Sequence, residues 1–399
     1  MRACTGSNDK GAGCLPKVGW SRGAFFARRN TSLIGKTLSL QSLSKRFERT
    51  IAVEGVSFDI AAGEFVSVLG PSGSGKTTLL TMIAGFEAPS SGRISIGGQD
   101  ITGAAPNRRN IGMVFQKYAL FPHMTVHQNV AFPLRMRRVD RLAIRDRVRM
   151  ILELVQLVGF DHRYPNQLSG GQQQRVAVAR ALVCEPPVLL MDEPLGALDK
   201  NLREAMQLEI KRIQSKLGAT VIYVTHDQDE AMTLSDRVAI MSGGTLVQLG
   251  APADIYHRPC SPFVAQFVGK MNFIDGECQR DEAGTCHIRI SDGITIAAPS
   301  PSLSGAGHLQ RGRAVKLAVR PESLSFAPPD SATAIPGHID AEIFVGAFRL
   351  YLVRLATIGQ PIVQIQLPAS TSAGPFRRGE RVDLLAVKEA FHVFAAPEA

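Results

Sequence analysis

The chain has 399 residues, 45% of them hydrophobic and 20% charged, which is ordinary globular composition and enough for two or three domains with real cores. No run approaches the roughly 18 apolar residues that cross a bilayer, so any spanning is expected of another chain. The net charge of +10 reads first as solubility, ahead of a nucleic acid or an anionic lipid as partner.

Cys4, Cys14, Cys184, Cys260, Cys278 and Cys286 form no CxxC pair, so neither a disulfide framework nor a zinc site is indicated, and a reducing cytoplasm is expected. Cys286-His287 near Cys278 reads as a surface thiol and histidine without a metal. Residues 1–36 are rich in Gly, Ser, Arg and Lys. Their apolar cluster around Trp20 and Ala24-Phe25-Phe26 is too short for a secretory core, so they read as a disordered extension.

Strand signals begin at Leu38-Ser39-Leu40 and run from Ile51 to Ile60, with apolar residues alternating at Val56, Phe58 and Ile60. Ala61-Ala62-Gly63 reads as a turn. Phe65-Val66-Ser67-Val68-Leu69 is a buried strand running into Gly70-Pro71-Ser72-Gly73-Ser74-Gly75-Lys76-Thr77, and a helix follows from Lys76 to Ala84. Thr125 to Phe160 reads as helices interrupted by Pro133. Its Arg135, Arg137, Arg138, Arg141, Arg145, Arg147 and Arg149 read as a solvated basic face, or more sharply as a contact for a membrane partner or its lipids.

Leu168-Ser169-Gly170-Gly171-Gln172 precedes a helix from Gln173 to Val183, which Pro186-Pro187 stops. The apolar strand Val188-Leu189-Leu190-Met191 ends on Asp192-Glu193-Pro194. Leu202, Met206, Ile210, Ile213 and Leu217 mark an amphipathic helix closed by Gly218. Val221-Ile222-Tyr223-Val224 is another buried strand, ending at Thr225-His226. This alternation of short β and α elements predicts a largely parallel sheet. Beyond about Lys270 the pattern becomes short alternating strands, such as Val315–Val319 and Ile362–Gln366, separated by Pro/Ser/Gly loops, which reads as a small β-barrel.

The glycine loop lies between a strand and a helix, the context a phosphate-binding loop requires. Its backbone N–H groups and the helix start make a concave anion site, Lys76 neutralises the β and γ phosphates of ATP, and Thr77 offers a hydroxyl to Mg²⁺. Asp192, ending an apolar strand, is placed to hold that Mg²⁺ through water. Glu193 beside it is the candidate general base for the attacking water.

The glycine loop, the Leu168–Gln172 segment and the acidic strand end, in that order, resemble the ATP-binding-cassette (ABC) ATPases. The resemblance implies an α/β P-loop nucleotide-binding domain at residues 37–270, with a helical subdomain at about 118–170, then an all-β OB-like (TOBE) domain at 271–399. It assigns Gly70, Pro71, Ser72, Gly73, Ser74, Gly75, Lys76, Thr77 and Thr78 to ATP. Gln116, in Val114-Phe115-Gln116, becomes the sensor of Mg²⁺ and the water, and His226 the contact to the γ phosphate. Leu195-Gly196-Ala197-Leu198-Asp199 matches a dimer-interface loop. Phe47 is the candidate for stacking on adenine, with a buried core Phe as the competing reading. Ser169, Gly170, Gly171 and Gln172 would complete the nucleotide site of a second subunit, so the resemblance implies a dimer as well as an ATPase.

Within the family, Val319-Arg320-Pro321-Glu322 and the β domain resemble bacterial importer ATPases. Leu198-Asp199-Lys200-Asn201-Leu202-Arg203-Glu204 looks most like the spermidine/putrescine importers. Importers for ferric iron, sulfate or sugar remain the alternatives. Such a subunit works at the cytoplasmic face of the inner membrane as a homodimer, or paired with a second cassette. Its partners are two transmembrane permease subunits and a periplasmic solute-binding protein. The segment Tyr118-Ala119-Leu120-Phe121-Pro122 would line the groove for the permease, with Leu120 and Phe121 facing it. The C-terminal domain reads equally as a sensor or as a dimerisation module. Nucleic-acid-linked ABC ATPases are the other class; they carry long coiled-coil insertions or paired cassettes, and this chain shows neither sustained heptads nor an aromatic stacking platform, so no nucleic acid is expected.

Overall fold

The computed structural model describes residues 34–196, 199–282, 284–300, 309–327, 334–357, 359–370 and 376–396. Residues 1–33 of the expected extension lie outside them. Residues 34–36 are tied down: Gly35 N donates to Gly218 O at 2.9 Å, and Lys36 O accepts from Thr220 Oγ1 at 2.7 Å.

The chain opens with β1 (Leu38–Phe47), β2 (Thr50–Ile60) and β3 (Phe65–Leu69), then α1 (Lys76–Ala84), β4 (Ser91–Ile96), β5 (Gln99–Asp100) and β6 (Ile111–Val114). Three helices follow: α2 (Val126–Met136), α3 (Arg141–Leu154) and α4 (Gly170–Leu182). Next come β7 (Val188–Asp192), α5 (Lys200–Leu217), β8 (Thr220–Thr225), α6 (Gln228–Leu234), β9 (Arg237–Ser242), β10 (Thr245–Gly250), α7 (Pro252–His257) and α8 (Pro262–Phe267). Among the described residues the C-terminal part is built from strands with two short 3-10 turns: β11 (Asn272–Glu282), β12 (Thr285–Ser291), β13 (Ile294–Pro299), β14 (Ala314–Val319), β15 (Ser325–Phe326), β16 (Ile335–Phe344), β17 (Phe348–Leu355), β18 (Ile362–Pro368), β19 (Arg381–Leu385) and β20 (Phe391–Ala395).

The central sheet has the order β10-β9-β3-β8-β7-β6. All its neighbours are parallel except the β10/β9 pair. Its inner strands are apolar on both faces because both faces are covered. Val66, Val68, Leu190, Ile222 and Val224 pack with α1 and the antiparallel sheet β2-β1-β4-β5. Phe65, Leu189, Met191, Val221 and Tyr223, on the opposite side of the pleat, pack with α2, α3, α4 and α5. The carboxyl ends of β3, β6, β7 and β8 therefore open along one edge of the sheet, where α/β folds bind their ligands.

Pro133 does not interrupt α2, contrary to the sequence reading. The face formed by Val126, Val130 and Leu134 is fully buried, and that packing outweighs the one backbone donor proline lacks. The arginines of α2 and α3 are exposed, as a solvated face would be.

The C-terminal sheets β13-β12-β11-β14-β20 and β15-β19-β16-β17-β18 are antiparallel throughout and close on one shared core around Tyr351, Leu317 and Ile288. They have the curled all-antiparallel sheets of an OB-like barrel. Cys278 and Cys286 are not surface thiols: both are fully buried in this core, their sulfurs 3.5 Å apart. A strand that curls into a barrel turns alternate residues inward, and both cysteines sit at inward positions.

Arg320 joins the two parts of the chain. It is 4% exposed and donates to Ala265 O, Lys270 O and Tyr256 O at 3.0–3.1 Å, with its guanidinium carbon 4.0 Å from the Tyr256 ring centroid. The Tyr256 hydroxyl bonds Glu322; burial first, then Glu322, pushes its pKa up to about 12. Arg320→Met should strand three carbonyls and cost about 3 kcal/mol. The loss should appear as a lower melting temperature and faster proteolysis near residues 258–272, with ATP binding intact.

Candidate active site

The phosphate loop is shaped by its glycines. Gly75 sits at φ 94° at the start of α1, and a Cβ there would lie 2.3 Å from Ala52 O. A Cβ on Gly70 would lie 2.3 Å from Met241 O. Only glycine lets the loop turn this tightly against β2 and β9. No side chain caps α1 and its first turn holds no acid, so its leading N–H groups remain available to an anion.

Lys76 is 6% exposed and donates from Nζ to Gly70 O at 2.9 Å and Pro71 O at 3.0 Å. Burial pulls its pKa below the ordinary lysine value, with Glu193 and Asp192 opposing. Ser74 Oγ is buried with no hydrogen-bond partner. A buried ammonium, an unpartnered hydroxyl and an uncapped helix start together form a donor set that a polyphosphate satisfies. The far end of α1 is held by Arg109, 5% exposed, which donates to Met82 O and Ile83 O at 2.7 and 2.8 Å. Sequence reasoning missed this residue, because nothing local marks a cation that serves a helix end 26 residues away.

Thr77 Oγ1 lies 3.5 Å from Asp192 Oδ1 at the end of β7. Burial, then the neighbouring Glu193 charge, raises the Asp192 pKa above the usual carboxylate value. Thr78 continues the same turn of α1, its carbonyl accepting from Thr81 Oγ1.

Glu193 follows immediately, in the left-handed region at φ 42°, and its N–H donates to Val224 O at 2.9 Å. That backbone turn aims the side chain across the sheet edge. Glu193 Oε2 accepts from Gln116 Nε2 at 3.1 Å, and Oε1 lies 3.1 Å from His226 Nδ1. Residues 116, 193 and 226 meet because β6, β7 and β8 are successive neighbours in the sheet.

Phe47 is not a core residue: it is 42% exposed at the end of β1, with Lys45 Nζ 4.7 Å from its ring centroid. It pairs with Thr50, the start of the strand whose Ala52 abuts Gly75.

Ser169 caps α4 through a capping box: Gln172 N donates to Ser169 Oγ at 3.3 Å, and Ser169 N donates to Gln172 Oε1 at 3.0 Å. Ser169 and Gly170 are exposed, while Gly171 is buried with its Cα side facing Leu202. Among the described residues, no hydrogen bond or ion pair joins this segment to the phosphate loop or to Glu193 of the same chain. Of Leu195–Asp199, Ala197 and Leu198 lie outside the described residues; Asp199 caps α5 by accepting from Leu202 N at 3.0 Å.

Comparison with known proteins agrees across both parts of the chain. The family model for the ABC transporter matches residues 53–196, and that for the TOBE domain matches residues 317–394. The chain is 48% identical to the spermidine/putrescine import ATP-binding protein of Thermobifida fusca over 79% of this chain and 83% of that protein. It is 46% identical to the protein of the same name from Trichodesmium erythraeum, over 83% and 90% of the two chains. Among solved structures, cbiO1 of Clostridium perfringens, part of the ABC transporter complex cbiONQ, matches with TM-score 0.52 and 32% identity. That match spans 55% of this chain and 90% of that one.

Proposed function

The chain belongs to the ABC transporter family of ATP-binding subunits and is an ATPase; from that premise we propose that it hydrolyses Mg²⁺-bound ATP between two cassettes to drive spermidine or putrescine import. The observation that carries the reading is the carboxylate of Glu193, held by Gln116 and His226 at the sheet edge beside Gly70–Thr77. Kinship with proteins named for spermidine/putrescine import supports the solute.

In this reading Lys76 exchanges the Gly70 and Pro71 carbonyls for the β and γ phosphate oxygens of ATP, while the loop N–H groups and Ser74 Oγ fill the remaining acceptors. Glu193 takes the proton of the attacking water: Oε2 accepts one hydrogen bond from Gln116 and keeps a lone pair, while Oε1 faces His226. Gln116 orients the carboxylate and the water. His226 holds the carboxylate through Nδ1 and turns its other nitrogen toward the γ phosphate. Thr77 and Asp192 would hold Mg²⁺: one carboxylate and one hydroxyl, completed by phosphates and waters, suit a small hard cation. When bound, Mg²⁺ supplies charge neutralisation across the β and γ phosphates. Phe47 would stack on adenine.

Ser169 and Gly170, exposed and making no hydrogen bond or ion pair to their own chain's site, suit a site completed by a second copy. A two-fold dimer would present Ser169 of the partner subunit to the γ phosphate, so nucleotide joins the two cassettes and hydrolysis releases them. Among the described residues no helix is long and apolar enough to cross a membrane, so the translocation path would belong to permease partners, with this chain on their cytoplasmic side.

The loop after Gln116 is the proposed permease contact. Leu120 is half-buried, with part of its side chain packed against the core. Phe121 is half-buried, 4.7 Å from Phe132 between ring centroids. Asn129 holds its backbone from both sides: Phe121 N donates to Oδ1 at 2.9 Å, and Nδ2 donates to Phe121 O at 3.1 Å. Arg180 donates to Ala119 O and Tyr118 O at 2.7 and 2.8 Å. A loop held this firmly transmits displacement toward Gln116 instead of absorbing it. Phe121→Ala should keep basal ATPase within about twofold while uptake falls about tenfold or more, because it removes packing area and no reacting group. Normal uptake in that variant would remove the residue from the interface.

The solute is tested by uptake in a strain lacking this gene, with labelled spermidine, putrescine, ferric iron, sulfate and a disaccharide. Loss of polyamine uptake, restored by wild type and not by Glu193→Gln, is the expected result. Loss confined to another solute would replace polyamine as the cargo.

A further inference from the structure

A half-buried charged cluster grips the strand end that carries His226. Glu230 on α6 is 2% exposed, and its Oε2 accepts from Tyr223 OH at 2.8 Å and Thr225 Oγ1 at 2.7 Å. Thr225 Oγ1 in turn accepts from Asp227 N at 2.9 Å. Asp227 caps α6, its Oδ1 accepting from Asp229 N and Glu230 N at 2.9 and 3.2 Å. Both neighbours of His226 in the chain are therefore fixed by buried or half-buried hydrogen bonds.

One cation reaches both carboxylates. Arg203 Nη1 donates to Asp227 Oδ2 at 3.0 Å, and Arg203 Nε lies 3.7 Å from Glu230 Oε1. Arg203 stands in the first turn of α5, where its N–H donates to Asp199 O at 2.9 Å, one turn beyond the Leu195–Asp199 segment. Arg203, Asp227 and Glu230 line one small pocket with Glu193, His226 and Gly196. The cluster thus touches the reacting groups on one side and the start of α5 on the other.

We propose that Arg203 is a positioning residue for His226: it ties the helix following the interface loop to both flanks of the histidine, so that the imidazole meets Glu193 only when α5 is correctly seated. The inference rests on the reading that His226 and Glu193 serve ATP hydrolysis. Without the guanidinium, two neighbouring carboxylates share a half-buried site with no opposing charge. Burial raises the Glu230 pKa, against the pull of the Thr225 and Tyr223 hydroxyls, and removing the Arg203 charge pushes in the same direction or shifts the 225–227 turn. Either change moves His226 relative to Glu193 without touching the phosphate loop.

The test is steady-state and single-turnover ATP hydrolysis by the full chain, in wild-type and His226→Ala backgrounds, with ATP affinity and melting temperature measured in parallel. Arg203→Met should lower kcat about tenfold with ATP affinity unchanged, the cost of a displaced catalytic group. Arg203→Lys, which keeps a point charge but not the fork, should recover part of it, and carries the cycle if Arg203→Met does not fold. Glu230→Gln can still accept from both hydroxyls but turns an amide N–H₂ toward Arg203, and should fall between wild type and Arg203→Met. In the His226→Ala background the Arg203 substitutions should cost nothing further.

Unchanged kcat in Arg203→Met, the same fractional loss with and without His226, or a loss shared equally by ATP affinity overturns the inference alone. A wild-type rate no higher than that of Glu193→Gln overturns the hydrolytic reading, and the inference with it.

Discussion

Glu193→Gln is expected to lower ATP turnover by about 10²–10⁴-fold, the range a positioned general base contributes, while the protein still binds ATP. The substitution keeps the side-chain shape and removes the one group placed to accept the water's proton. Its surroundings tolerate the amide. Glu193 accepts from Gln116 Nε2 and faces His226 Nδ1; a glutamine presents one acceptor and one donor, and the Gln116 amide can flip to meet either. The local charge also improves for nucleotide. Asp192 is held above its usual pKa partly by the Glu193 charge, so neutralising that neighbour lets Asp192 ionise more readily and hold a cation better. The variant should accumulate an ATP-bound dimer that wild type passes through. Phosphate release, equilibrium ATP binding and size-exclusion chromatography in ATP check all three parts; retained turnover would displace Glu193 from the role of base.

Lys76→Met separates binding from stability. ATP affinity should fall about a hundredfold or more, since a charge-assisted contact to phosphate inside a water-poor loop is worth roughly 3 kcal/mol. The melting temperature without nucleotide should stay close to wild type. The Lys76 ammonium is buried and its pKa is depressed, so its two carbonyl hydrogen bonds do not fully offset its lost hydration. The sign follows for pH. A lysine whose pKa is lowered by folding penalises the fold while protonated, and the penalty is relieved as pH rises through the depressed value toward the ordinary 10.5. Wild type should therefore gain stability relative to Lys76→Met as the solution becomes alkaline. Isothermal titration with ATP and thermal melts from neutral to alkaline pH test both. A collapse in stability equal to the loss of affinity would make Lys76 a structural residue first.

Much of this molecule is legible in local sequence. The run Phe65–Leu69 followed by glycines and Lys76 specifies a strand, a tight turn and a helix, because period and backbone freedom act over a few residues, and α1 spans Lys76–Ala84 as the pattern predicts. The helix marked by Met206, Ile210 and Ile213 buries those residues, and the alternating strands beyond Lys270 become two antiparallel sheets. Resemblance extended this to Gln116 and His226, which carry no local mark of their own.

Other features depended on which strands lie side by side. The order β6-β7-β8 brings Gln116 and His226 onto the two oxygens of Glu193, and nothing in the spacing of 116, 193 and 226 encodes those distances. Tyr223 reads only as a strand interior, Arg203 only as part of a family phrase, and Glu230 has no mark of its own, until α5, β8 and α6 meet. Pro133 reads as a break until the buried face of α2 holds the helix through it. The cysteines of the barrel change sides for the same reason. Local pattern states what a segment prefers; burial and charge pairing are decided by neighbours distant in the chain, and those neighbours exist only in the folded sheet.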